Sequence, residues 1–144
     1  DAVISVLAPR PSATTLFSEG TRNLADAAAA EGVIRFVAAS AEGAGIDPDR
    51  LPLAYRAVLL YPHVAEMYRD IAVMERELVE RTDLKWTVVR AAVLKDGPPR
   101  GAYRVSEGDL VPDGLTVSRA DLAAFLLDVT ERDRFVRKRL AIAD

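Results

Sequence analysis

Residues 1–8, D-A-V-I-S-V-L-A, are almost wholly apolar and lead through a short polar loop into a helix from about Thr14. A near-continuous apolar run that feeds a helix reads as a central strand of a parallel sheet, because helices must cover both of its faces. A second such run, V-I-R-F-V-A-A at residues 33–39, follows the helix. Together they make a strand–helix–strand unit of about forty residues, the length a crossover between parallel strands requires. A central strand also needs a neighbour on each side. The expectation is therefore that something outside these 144 residues covers the free edge of the first strand, either a preceding segment or a second copy in a homodimer.

The remaining pattern continues the alternation. In the first helix Phe17, Gly20, Leu24, Ala27 and Ala28 share one face at helical spacing, with Thr14 or Thr15 as N-cap and Gly32 at the C-terminal stop. Gly20 costs that helix up to about 1 kcal/mol against Ala, which suggests close packing onto a neighbouring backbone. Residues 51–60 predict a short helix. Pro62 opens the clearest periodic segment, with Val64, Met67, Ile71, Met74 and Leu78 inward and Glu66, Arg69, Asp70, Glu77 and Glu80 on the opposite face. Residues 84–94, L-K-W-T-V-V-R-A-A-V-L, predict a third strand in which Trp86 packs on a helix. Short strands are expected at 102–105 and 115–117. Ser118 and Asp121 form the acidic version of a capping box, and residues 140–143 predict a short edge strand. Strands alternating with helices define an α/β layer structure, here a three-layer sandwich in a single domain over residues 1–144.

Composition narrows the function classes. The net charge of −3 gives no reason to expect nucleic acid or an anionic membrane as partner. The absence of Cys removes thiol catalysis and cysteine metal sites, and is compatible with a cytoplasmic enzyme. No apolar stretch reaches the length of a membrane span. His63, the only histidine, has no ligand-spaced partner and reads as a surface residue. The basic run at 132–139, R-D-R-F-V-R-K-R, reads as a solvated face. Gly43 and Gly45 imitate a phosphate loop, but Pro48 stands where its third glycine belongs, so the pair marks a turn.

In an open parallel sheet, ligands bind beyond the carboxyl ends of the strands. The loops at 8–12, 40–45 and 91–97 follow the main strands and form one candidate rim. These segments, with S-E-G-T-R-N-L, R-F-V-A-A-S, L-K-W-T-V-V-R, D-G-P-P-R-G-A-Y-R-V and L-T-V-S-R-A-D-L-A-A-F-L-L, resemble in the same order the atypical short-chain dehydrogenase/reductases. The flavin reductase and biliverdin reductase B-like NAD(P)-binding proteins are the nearest branch. The resemblance implies a Rossmann fold of which this chain supplies the C-terminal portion, from the fourth strand onward, without the first βαβ unit or its phosphate-binding fingerprint.

It further implies an NAD or NADP cofactor in the full-length parent, bound weakly or not at all by this portion alone. Leu7, Ala8, Pro9 and Arg10 fall against the dinucleotide phosphates and ribose, with Ala8 in place of the family's usual Gly. Ser40 and Ala41 replace a Ser/Thr pair near the nicotinamide, which makes Ser40 the catalytic candidate. Ala91, Ala92 and Val93 stand where the family commonly has two prolines. Neither Tyr61 nor Tyr68 is followed by a Lys four residues on, as in conventional relatives. The implied activity is reduction of a flavin, quinone or related small carbonyl or conjugated substrate. The alternative is a dinucleotide-sensing or protein-interaction module without turnover.

Overall fold

The computed structural model describes residues 1–8 and 15–144. Pro9, Arg10 and the N-cap candidate Thr14 lie outside the described residues. The chain forms β1 (Ala2–Ser5), α1 (Leu16–Ala30), β2 (Arg35–Ala41), a 3-10 turn (Pro48–Arg50), α2 (Leu53–Val58) and α3 (Pro62–Val79). Then follow β3 (Lys85–Ala91), β4 (Val93–Lys95), β5 (Arg104–Ser106), β6 (Thr116–Ser118), α4 (Arg119–Thr130), a second 3-10 turn (Asp133–Phe135) and β7 (Lys138–Ala143).

The main sheet has the order β1-β2-β3-β7-β5, parallel throughout except for β5, and β4 and β6 form a separate parallel pair. One apolar layer joins α1 and α3 to the sheet through Phe17, Phe36, Ile71, Met74 and Trp86. The other joins α4 through Val37, Val89, Phe125, Leu126 and Ile142. This is the α/β, Rossmann-like three-layer arrangement, with helices on both faces of a mostly parallel sheet. Trp86 packs against α3 as expected. Among the described residues, no helix is long and apolar enough to cross a membrane.

Five local expectations need correction. Residues 140–143 do not form an edge strand: β7 lies between β3 and β5, and Leu140, Ala141, Ile142 and Ala143 have no exposed surface. Four consecutive buried residues require cover on both faces, which an edge position rarely supplies. The buried stripe of α1 is Phe17, Ser18, Thr21, Ala25 and Ala28, while Leu24 is exposed, so small polar residues carry the face that meets α3. The third strand stops at Ala91, and the chain changes sheets: Ala92 N–H donates to Ile142 O and Val93 N–H to Leu115 O, both at 3.1 Å. Gly20 makes room for a side chain rather than a backbone, since a Cβ there would lie 2.9 Å from Leu7 Cδ1.

The fifth correction concerns Asp70, which is buried rather than on the open face of α3. Its carboxylate accepts from Phe17 N–H at 2.8 Å and from the Ser18 hydroxyl. Thr15 is the N-cap of α1 but makes no side-chain capping bond. A neighbouring helix therefore caps α1, and the negative charge sits at the positive end of its dipole. At the other end, Gly32 adopts φ +71, with its N–H on Ala29 O and Val33 N–H on Ala28 O. Those two bonds are a Schellman close.

The Ser118 hydroxyl caps α4 by accepting from Asp121 N–H at 2.9 Å, but the reciprocal half of the expected box is diverted. Asp121 Oδ1 accepts from the amides of Arg100 and Gly101, each at 2.9 Å, and so pins the 96–101 loop onto the start of α4. Those bonds, the Gly101 amide foremost, hold the Asp121 carboxyl below its usual range.

Candidate functional site

Parallel pairing brings the expected rim together. Ser40 is opposite Arg90 and Ala41 opposite Ala91, and Glu42 N–H donates to Ala91 O at 2.9 Å. β1 pairs with β2 up to Ser5 opposite Ala38, so Leu7 and Ala8 emerge beside Ser40 and Ala41. Leu7 is half-buried beneath α1, Ala8 is exposed, Ala91 and Ala92 are buried, and Val93 is exposed. Apart from Leu7 and Val93, the side chains on this rim are small. Ser40, Ala91 and Ala92 are themselves buried, so the exposed part of the rim is Ala8 and Val93 with part of Leu7 and Ala41. The sequence contains no glycine-rich fingerprint to hold the pyrophosphate of a dinucleotide. Gly43 and Gly45, at φ +89 and +72, make the turn that leaves β2. His63 is exposed beside Tyr61.

Ser40 does not point freely into that rim. It is buried, and its hydroxyl donates to Glu75 of α3. Glu75 in turn pairs with Arg90 through contacts of 2.6, 3.0 and 3.1 Å, with both side chains only 4% exposed. Arg90 reaches onward to Asp109 at 2.5 Å, a carboxylate that is 60% exposed. Burial works against the charge on Arg90, but Glu75 and then Asp109 outweigh it and raise its pKa. The network ties β2, β3, α3 and the 107–115 segment together under the carboxyl ends of the strands.

A second buried group lies two residues beyond Ser40. Glu42 has no exposed surface and accepts from Val111 N–H at 2.9 Å and from the Tyr55 hydroxyl. Burial pushes its carboxyl above the ordinary range, opposed by the Tyr55 and Val111 bonds and by Arg90. Tyr55 and Tyr68 are both raised, by burial first and then by Glu42. Tyr55 also lines a cavity of about 330 Å³ between α2 and residues 110–115.

Sequence reasoning missed Glu42, Tyr55, Glu75, Arg90 and Asp109. Two signals were available. Arg90 interrupts an otherwise apolar strand, and Glu75 falls on the inward stripe of α3 between Ile71 and Leu78. A charge at each of two core positions asks for the other. By contrast, the basic run at 132–139 is spent locally: Arg132 pairs with Asp128, Lys138 with Glu107, and Arg137 donates to Thr82 O. Among the described residues, no group of three His, Cys, Asp or Glu side chains is placed to hold a metal ion.

Residues 1–133 match the family model described as NAD(P)H-binding. The chain belongs to that NAD(P)H-binding family. Its fold also matches solved structures across its whole length. Against a candidate NAD-dependent epimerase/dehydratase from Bacillus halodurans the TM-score is 0.77 at 22% identity, covering 100% of this chain and 64% of that one. Against ChuY, an anaerobillin reductase from Escherichia coli O157:H7, it is 0.79 at 19% identity, covering 99% and 63%. Against a candidate NADH-flavin reductase from Streptococcus pneumoniae TIGR4 it is 0.75 at 22% identity, covering 100% and 71%. At such identities the likeness establishes the fold. The chain thus spans just under two thirds of the first two proteins. It shares with the atypical short-chain dehydrogenase/reductases the mostly parallel sheet and the order of elements that its motifs suggested.

Proposed function

We propose that the parent protein is an NAD(P)-dependent oxidoreductase of the atypical short-chain dehydrogenase/reductase type, reducing a flavin, quinone or related small conjugated substrate. The observation that carries this reading is the convergence of Leu7–Ala8, Ser40–Ala41 and Ala91–Val93 on one small-residue rim in a chain of the NAD(P)H-binding family. Pro9 and Arg10 extend the first of these segments toward the cofactor's phosphates in the same reading. The names of ChuY, an anaerobillin reductase, and of the pneumococcal protein, a candidate NADH-flavin reductase, support the substrate class.

When bound, a reduced nicotinamide supplies the hydride. The chain's own residues do the positioning. Ala8 and Ala41 admit the ring, and Glu75 holds the Ser40 hydroxyl in a fixed direction. The protein is read as a cytoplasmic enzyme.

Calorimetry with NADH and NADPH on the full-length protein is the first test, and absence of binding to both rejects the proposal. Ser40 engaged by Glu75 favours a second reading, a dinucleotide sensor without turnover. Cofactor binding without oxidation in the presence of flavin or quinone would select it.

A further inference from the structure

A cavity of about 360 Å³ lies between α3 and the turn that leaves β2. Its lining is apolar, with Ile46 and Leu59 contributed by the chain before α3 and Ala65 and Ala72 by α3 itself. The half-buried Tyr68 adds an aromatic wall. Gly43 and Gly45 keep the turn's side open: they adopt φ +89 and +72, and a Cβ there would lie 3.5 Å from Tyr68 Cε1 or from Ala72 Cβ, respectively.

One charged residue lines this space, Arg69. It is exposed and has no ion-pair partner among the described residues. The two carboxylates that flank Pro48 in the turn are engaged elsewhere: Asp47 accepts from Asp49 N–H at 3.0 Å, and Asp49 pairs with Arg56 at 3.2 Å. The groove between α1 and α3 differs in this respect. Arg22 and Arg81 line it, but Glu77 holds the first at 2.8 Å, and Asp26 and Asp83 hold the second at 2.5 and 2.7 Å.

We propose that the cavity beside α3 binds an apolar monocarboxylate, with its charge on Arg69 and its body against Tyr68, Leu59 and Ala72. The site is separate from the rim and does not depend on the oxidoreductase reading. The observations limit the ligand. The volume is at the small end of ligand sites, which excludes a dinucleotide. Arg69 repels a cation. A zwitterion would strand its ammonium group against apolar walls. A single guanidinium matches one carboxylate, which it can grip with two parallel hydrogen bonds.

The test uses the full-length protein with 2-naphthoate as a ring probe and octanoate as a chain probe, each titrated by calorimetry. At least one should bind with a Kd at or below about 1 mM, as befits a ligand of this size. Because Arg69 is exposed, Arg69→Gln should weaken binding about five- to tenfold, and Arg69→Lys should recover part of that loss. 2-Naphthalenemethanol, which lacks the charge, should bind wild type more weakly than 2-naphthoate and bind wild type and Arg69→Gln alike. Ala65→Trp, which fills the cavity from α3, should weaken the acid at least about tenfold. Ile46→Trp fills it from the turn and serves if the urea midpoint shows Ala65→Trp to be unfolded.

Absence of saturable binding by both acids overturns the proposal. Equal affinity in wild type and Arg69→Gln, or an alcohol that binds as tightly as the acid, overturns the role of Arg69. Unchanged affinity in a folded cavity-filling variant overturns the location.

Discussion

Removal of Arg90 is the sharpest perturbation of the site's support. In Arg90→Met, the Glu75 carboxylate keeps its 4% exposure but retains only the Ser40 hydroxyl as partner. Leaving one member of a buried pair unpaired costs about 3–5 kcal/mol, a large share of the 5–15 kcal/mol typical of a domain. Replacing both members by apolar residues of similar volume removes the stranded charge as well, and such replacements are about neutral. The Glu75→Met/Arg90→Met double variant should therefore regain most of what Arg90→Met loses, a coupling of about 3 kcal/mol. Asp109 contributes little, because its carboxylate is 60% exposed, and Asp109→Ala should cost about 1 kcal/mol or less. Urea unfolding, with midpoints compared at constant slope, measures wild type, Arg90→Met, Glu75→Met, the double variant and Asp109→Ala. The reasoning is refuted by an Arg90→Met cost under about 1 kcal/mol, or by a double variant no more stable than the worse single.

Three further outcomes follow from the fold. Asp70→Ala removes the cap of α1 and strands the Phe17 amide, so it should destabilise by about 2–3 kcal/mol, with Asp70→Asn milder, both read by urea midpoint. Gly114→Ala would place a Cβ 2.4 Å from Ala143 Cβ and 3.2 Å from Val111, an overpacking worth about 1–3 kcal/mol that thermal unfolding should detect. Asp121 has a lowered folded-state pKa, so its contribution is present above the unfolded value near 4 and is lost as pH falls through the folded value. The stability gap between wild type and Asp121→Asn should accordingly be widest near neutral pH and close on acidification, as a pH series of urea midpoints would show.

The rim and the network beneath it differ in how far the sequence revealed them. The rim was legible because it depends on order: strands that alternate with helices lie parallel, so their carboxyl ends share one side. Ala8, Ser40–Ala41 and Ala91–Val93 needed no knowledge of packing to be grouped. Glu75 and Arg90 were not legible as partners because a charge's cost depends on burial and on what faces it across 15 positions of sequence. Glu42 was hidden for the same reason, since Val111 is 69 residues away along the chain.

The sequence by itself determined the alternation of strands and helices, the layers and the parallel crossovers, since hydrophobic period and turn chemistry are local properties. Only the tertiary structure decided that β7 is an interior strand, that Asp70 caps a helix other than its own, and that Asp121 serves a loop twenty residues earlier. It also decided that the Ser40 hydroxyl is held by a buried ion pair rather than left free. In each case the deciding quantity is the free energy of satisfying a buried polar group or covering a buried face. That energy depends on which distant element arrives beside the residue, and no window along the chain contains it.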